Sequence, residues 1–205
     1  RWNRVMGDAS ELYDAVVQHN YLKTWAQFHK RLQWTKAEYA RWLFVQGDAY
    51  PGWITDYHRQ YYGDKPLWMT EVGISDINIP APVQEEMRHA WYSRLAEANY
   101  ILSLLAHDGP IEMVAKHILA APKDHMPLTP VIEGGELSEV RMNFPLADIL
   151  ARIGRATHGG GRIADAEVRG TAEFDGVLRA EGRTFPVVRA FFVETDHARS
   201  LFVIN

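Results

Sequence analysis

Glu71 closes a short apolar run, Leu67-Trp68-Met69, that opens on Lys65-Pro66, and Gly73 follows two residues later. Two other β-rich runs end on polar groups. "YDAVVQHNY" (13–21) finishes on His19 and Tyr21, and "IEMVAKHIL" (111–119) carries Lys116 and His117. A lone carboxylate at the mouth of a buried strand is costly unless donors stand near it. A tyrosine hydroxyl on the neighbouring strand is such a donor. It would hold Glu71 ionised and aimed, the state a nucleophile needs. Plainer roles stay open for each residue alone: an exposed loop acid for Glu71, packing with a hydrogen bond for "HNY", a satisfied core histidine for His117.

Other chemistries find less in the sequence. His19, Glu71 and His117 are of types that ligate metals, but neither HExxH nor a close His/Asp cluster accompanies them. There is no GxSxG and no phosphate-cradling glycine motif. "HGGG" (158–161) is like a lipase oxyanion loop, yet it follows a helical pattern and no nucleophile elbow goes with it, so it reads as helix end and domain linker. No cofactor is indicated.

The elements that must position these residues are legible from periodicity. "TKAEYARWLFVQ" (35–46) has a Thr cap, a Glu three residues on and helical spacing, and "PGWITDYHRQYYG" (51–63) reads as a second helix from Pro to Gly. The spacing predicts a long helix over 81–109, with Met87, Trp91, Leu95, Ala98 and Leu102 on one face, and another over 143–157. A polar, Pro-rich loop is expected from Ala121 to about Glu139. Aromatic residues at 34, 39, 42, 53, 57, 61 and 62 suit the face of a helix and read as core. The three strands are continuous apolar runs alternating with helices, the pattern of parallel strands covered on both faces. In parallel α/β barrels, functional groups gather at the C-terminal strand ends. Beyond Gly161 the texture changes to short β-rich runs, "RIADAEVRG", "TFPVVRAFFVET" and "ARSLFVIN", which places a domain boundary near residue 160.

Composition bounds the reading. The 205 residues suffice for one sizeable core or two small ones, with 47% hydrophobic and 12% aromatic content. A net charge of −4 without a basic block argues against nucleic acid as the main partner. With no cysteine, disulfides and thiolate metal sites are excluded. No apolar run reaches about 18 residues, so no membrane partner is expected. Both cytoplasmic and secreted settings stay open. "RWNRVMGD" reads as the interior of a longer protein.

In this order "YDAVVQHNY", "PLWMTEVGIS", "IEMVAKHIL" and the C-terminal "FPVVRAFFVETDHARSLFVIN" resemble the C-terminal half of retaining clan-A glycoside hydrolases. The likeness is greatest to family 51 α-L-arabinofuranosidases and family 39-like enzymes. It implies residues 1–160 as the last strands, about five or six to eight, of a (β/α)8 barrel, and 161–205 as part of an antiparallel β-sandwich. It also implies a carbohydrate substrate from plant or algal polysaccharide. Glu71 would be the nucleophile, Tyr21 its orienting donor, and His19 and His117 substrate contacts, with Trp68 structural. "EVGISD" departs from the stretch that usually follows the family 51 nucleophile. The chain also holds no Asn-Glu pair, the clan's acid/base motif. A retaining mechanism needs two carboxyl groups about 5–5.5 Å apart. The N-terminal half of the barrel, from the same polypeptide or another chain, is therefore an expected partner, and a homo-oligomer is a further expectation by analogy. The rival reading is a non-catalytic glycosidase-like scaffold for carbohydrate binding or assembly.

Overall fold

Thr35 and Glu38 bind each other's backbone, forming a capping box that starts the longest helix among the described residues. The computed structural model describes residues 2–23, 35–75, 91–117, 127–142, 146–158, 160–176 and 182–205. Helices are α1 (Trp2–Asp8), α2 (Lys36–Tyr62), α3 (Trp91–Ala106) and α4 (Leu146–Thr157). A parallel sheet, β1 (Val16–Lys23), β2 (Leu67–Ser75) and β3 (Ile111–Lys116), runs in that spatial order. The chain is therefore an α/β protein.

The expected break between helices at 46 and 51 is absent: α2 runs through Pro51 as one helix of 27 residues. Burial explains this. Trp42, Val45 and Ala49 bury one flank, while Leu43 and Ile54 enter the main core. Gly47, which looks like a helix breaker, has a packing role. A Cβ there would lie 2.9 Å from Asn99 Nδ2 and 3.4 Å from the Tyr100 nitrogen, so α2 and α3 touch closely at this glycine. Of the aromatic series, Tyr39 and Trp42 are buried but Tyr57 is half exposed, and Trp34 lies outside the described residues.

Both crossover helices cover the same face of the parallel sheet. Leu22, Leu67, Met69 and Val72 pack with Tyr39, Leu43 and Ile54 of α2 and with Ala96, Tyr100, Ile101 and Leu104 of α3. Each such aliphatic side chain contributes about 1.5–3 kcal/mol on burial, which fixes the layer. The expectation of strands covered on both faces fails among the described residues. Val17, Trp68 and Met113 stand 54%, 41% and 39% exposed on the side away from the helices.

β2 carries one extra residue. Gln18 pairs with Met69 but His19 pairs with Glu71, so Thr70 bulges. The β3 side shows the same offset, with Met69 opposite Val114 and Val72 opposite Lys116. A bulge shifts the alternation by one. Met69 and Val72 both reach the helices as a result, and Glu71 turns to the open face with Trp68. The strand does not stop at Glu71, as its sequence suggests, but continues to Ser75 because β1 pairs with it through Tyr21↔Gly73 and Lys23↔Ser75.

α3 begins, among the described residues, at Trp91; residues 81–90 lie outside them. The single-stripe expectation is corrected here, since Trp91 is exposed and α3 is buried on two sides. Its second side, Ala98 and Leu102, packs with Ile153 of α4, Phe191 and Ile204. The last two belong to an antiparallel sheet of β6 (Arg162–Ala166), β9 (Arg189–Glu194) and β10 (Arg199–Ile204). A small ladder, β7 (Glu173–Asp175) with β8 (Thr184–Pro186), sets Phe185 against Trp42.

The loop expected to reach Glu139 contains a hairpin, β4 (Leu128–Glu133) and β5 (Glu136–Met142), turned by Gly134-Gly135 with both φ positive. Pro122, Pro127 and Pro130 suggested a loop, but the Gly-Gly pair between alternating runs is the hairpin signal. Residues 118–126 and 143–145, part of the expected strand, loop and helix, lie outside the described residues.

Candidate active site

Three strands deliver four side chains to the same spot on the open face. β1 supplies Tyr21 and His19, β2 supplies Glu71 just after its bulge, and the residue following β3 supplies His117. The Tyr21 hydroxyl donates to Glu71 Oε2 at 2.5 Å and lies 2.8 Å from His117 Nδ1. His19 Nδ1 is 3.3 Å from Glu71 Oε2, and His117 Nε2 is 3.8 Å from Oε1. The Tyr21 and His117 rings meet edge to face, with centroids 6.0 Å apart.

The hydroxyl has a single proton. An ionised carboxylate only accepts, so that proton goes to Glu71 and the contact to His117 must be made by Nδ1–H donating to the Tyr21 oxygen. Nε2 then faces Glu71 Oε1, where a proton would place a cation beside the carboxylate. The Tyr21 hydrogen bond, the main cause, and the two histidines hold the Glu71 carboxyl below the ordinary glutamate range, against a smaller upward push from burial. Burial, then the hydrogen bond and charge of Glu71, push the Tyr21 hydroxyl well above its ordinary value, so it stays a donor. The outcome is an anionic, oriented carboxylate that is still 30% exposed to an approaching ligand.

Each supporting contact has a local cause. Asn20, between His19 and Tyr21, points to the helix side and accepts from the buried Tyr100 hydroxyl at 3.0 Å, which locks the rotation of β1. Lys116 does not join Glu71. Its side chain turns to the helix side and meets Glu97 of α3. Trp68, expected to be structural, shares the open face with Glu71, and its indole lies 3.4 Å from the Glu112 carboxylate. Glu97 and Trp68 are the residues that motif reasoning misses. An acid inside the apolar "EANYILSLL" stretch was the available signal for the first. Among the described residues no group of three or more His, Asp or Glu is arranged to hold a metal ion.

No helix among the described residues is long and apolar enough to cross a membrane. No protein-family model matches the chain, and no curated protein matches it.

Proposed function

We propose that this chain carries the nucleophile of a retaining glycoside hydrolase. The observation that carries the reading is the Glu71 carboxylate, held ionised by Tyr21 at 2.5 Å on the exposed face of parallel strands. In this mechanism Glu71 attacks the anomeric carbon while a second carboxylic acid protonates the departing glycosidic oxygen. The resulting glycosyl ester is then cleaved by water that the second carboxylate deprotonates, which frees Glu71. Net retention follows from the two inversions.

The acid/base carboxyl would come from strands outside this sequence that complete a (β/α)8 barrel, with the C-terminal strands as part of a β-sandwich beside it. Three features support such a barrel. Sequential strands lie side by side in parallel, both crossover helices lie on one face, and the opposite face presents Val17, Trp68 and Met113 for further strands to cover. His19 and His117 flank the nucleophile as contacts for sugar hydroxyls, and Trp68 offers a flat ring on the same side. Arabinose- or xylose-type glycosides are the substrates to test first.

The experiment is Glu71→Gln in the whole protein, assayed on an aryl glycoside panel. Hydrolysis should fall by more than roughly 10⁴-fold with folding intact, since a nucleophile is removed outright. Unchanged hydrolysis would end the assignment. The amphipathic β4–β5 hairpin, whose Ile132, Leu137, Val140 and Met142 are exposed, favours a second reading as an assembly scaffold. Sugar binding by a wild-type protein that hydrolyses nothing would select that one.

A further inference from the structure

His117 stands one residue past the end of β3, where a chain would ordinarily be free to turn. Both of its backbone groups are nevertheless held. Its N–H donates to the Val72 carbonyl at 2.9 Å, and its carbonyl accepts from the Lys116 ammonium. That ammonium lies 3.0 Å from Glu97 Oε1, with the Glu97 side chain 2% exposed. The contact to Glu97 is ionic rather than a directed hydrogen bond, because among the described residues Oε1 has no hydrogen-bond donor. Arg94, one turn earlier on α3, is also buried and adds positive charge near Glu97.

Gly73 makes the room. A Cβ there would sit 3.0 Å from the His117 carbonyl oxygen, 3.1 Å from Lys116 Nζ and 3.3 Å from Glu97 Oε1. Gly73 is also the register partner of Tyr21. The ion pair therefore lies against Gly73 at the level of Tyr21, and its lysine holds the backbone of the residue whose imidazole meets the Tyr21 hydroxyl. A buried ion pair costs desolvation and is weak evidence for stability by itself. Here its directed hydrogen bond ends on the backbone of a site residue.

We propose that Lys116, anchored by Glu97 beside Gly73, is a positioning residue that fixes His117 and, through His117, the Tyr21 hydroxyl against Glu71. Only the kinetic consequence rests on the glycosidase reading; the orientation of His117 can be measured without it.

The test is long-range ¹H–¹⁵N NMR of the whole protein with ¹⁵N-labelled histidine, at a pH where the imidazole is neutral. Wild-type His117 should carry its proton on Nδ1. Lys116→Met should keep the fold and lose that single form for a mixture of tautomers, and Lys116→Arg should restore it. On an aryl glycoside, kcat of Lys116→Met should drop roughly ten- to a hundredfold, as for a misaligned group, with KM nearly unchanged. A folded Lys116→Met protein with His117 still wholly Nδ1-protonated would overturn the proposal. So would a wild-type protein with the proton on Nε2. If Lys116→Met fails to fold, Glu97→Gln gives the same reading, and the wild-type tautomer decides in either case. Absence of hydrolysis by the wild type would count against the glycosidase reading and leave the tautomer test standing.

Discussion

Tyr21 and Glu71, separated by 50 residues of sequence, share a 2.5 Å hydrogen bond on the face of the sheet that the helices leave open. The bulge at Thr70 is what makes it possible. With strict alternation, Met69 and Glu71 would share a face and the acid would point into the α2–α3 core. The extra residue sends Met69 and Val72 inward and Glu71 outward.

Tyr21→Phe removes the largest influence holding the Glu71 carboxyl down. A carboxyl whose folded value lies below its ordinary 4.5 is ionised, and active as a nucleophile, down to that lower pH. The acid limb of kcat/KM should therefore move upward toward 4.5 in the variant, and kcat should fall about 10²-fold. The same group contributes stability above its unfolded value and loses it as pH falls through the folded one. The stability difference between wild type and Tyr21→Phe should accordingly be full above 4.5 and fade below it. pH–rate profiles and denaturation at several pH values check both statements.

Arg189 ties the antiparallel sheet to α2. It lies 3.3 Å from Asp48 and 2.6 Å from Asp165, and Asn99 donates to Asp48 at 2.8 Å. Asp48 is 5% exposed, and burial raises its carboxyl even with Arg189 beside it. Arg189→Met should destabilise the fold by about 3 kcal/mol by leaving that buried acid without its cation, and adding Asp48→Asn should recover a large part. Because the folded Asp48 takes up a proton more readily than the unfolded chain, the Arg189→Met defect should shrink as pH falls. Urea titrations of the two variants at neutral and acidic pH measure this.

Gly47→Ala sets two effects against each other. Alanine gains about 1 kcal/mol in helix propensity over glycine. Its Cβ, however, meets Asn99 Nδ2 at 2.9 Å, and that amide is held by Asp48. Overpacking of this kind costs typically 1–3 kcal/mol, so the variant should be less stable than wild type by about 1 kcal/mol in denaturant unfolding. A more stable variant would show that Asn99 gives way freely.

The three parallel strands and the residues gathered near their ends were legible because continuous apolar runs ending in His, Tyr and Glu carry their own signal, whereas the β4–β5 hairpin was hidden by its prolines. The Thr35–Glu38 cap was legible for the same reason. What sequence reasoning missed depends on contacts between distant segments. α2 passes through Pro51 because its two halves are buried against different partners. Trp91 lies exposed because α3 has two buried sides instead of one stripe. The Thr70 bulge, which sets the direction of Glu71, becomes visible only once β1 and β3 are paired on either side of β2. The Lys116–Glu97 pair joins a strand end to a helix and has no local pattern.

The most direct measurement is covalent trapping. The whole protein is incubated with an activated 2-deoxy-2-fluoro glycoside of the arabinose or xylose series, which slows breakdown of a glycosyl ester, and the labelled peptide is then mapped by mass spectrometry. One adduct per chain is expected, on the peptide containing Glu71, and none in Glu71→Gln. Turnover of the parent glycoside with the label on a different carboxylate would contradict the assignment of Glu71 as nucleophile.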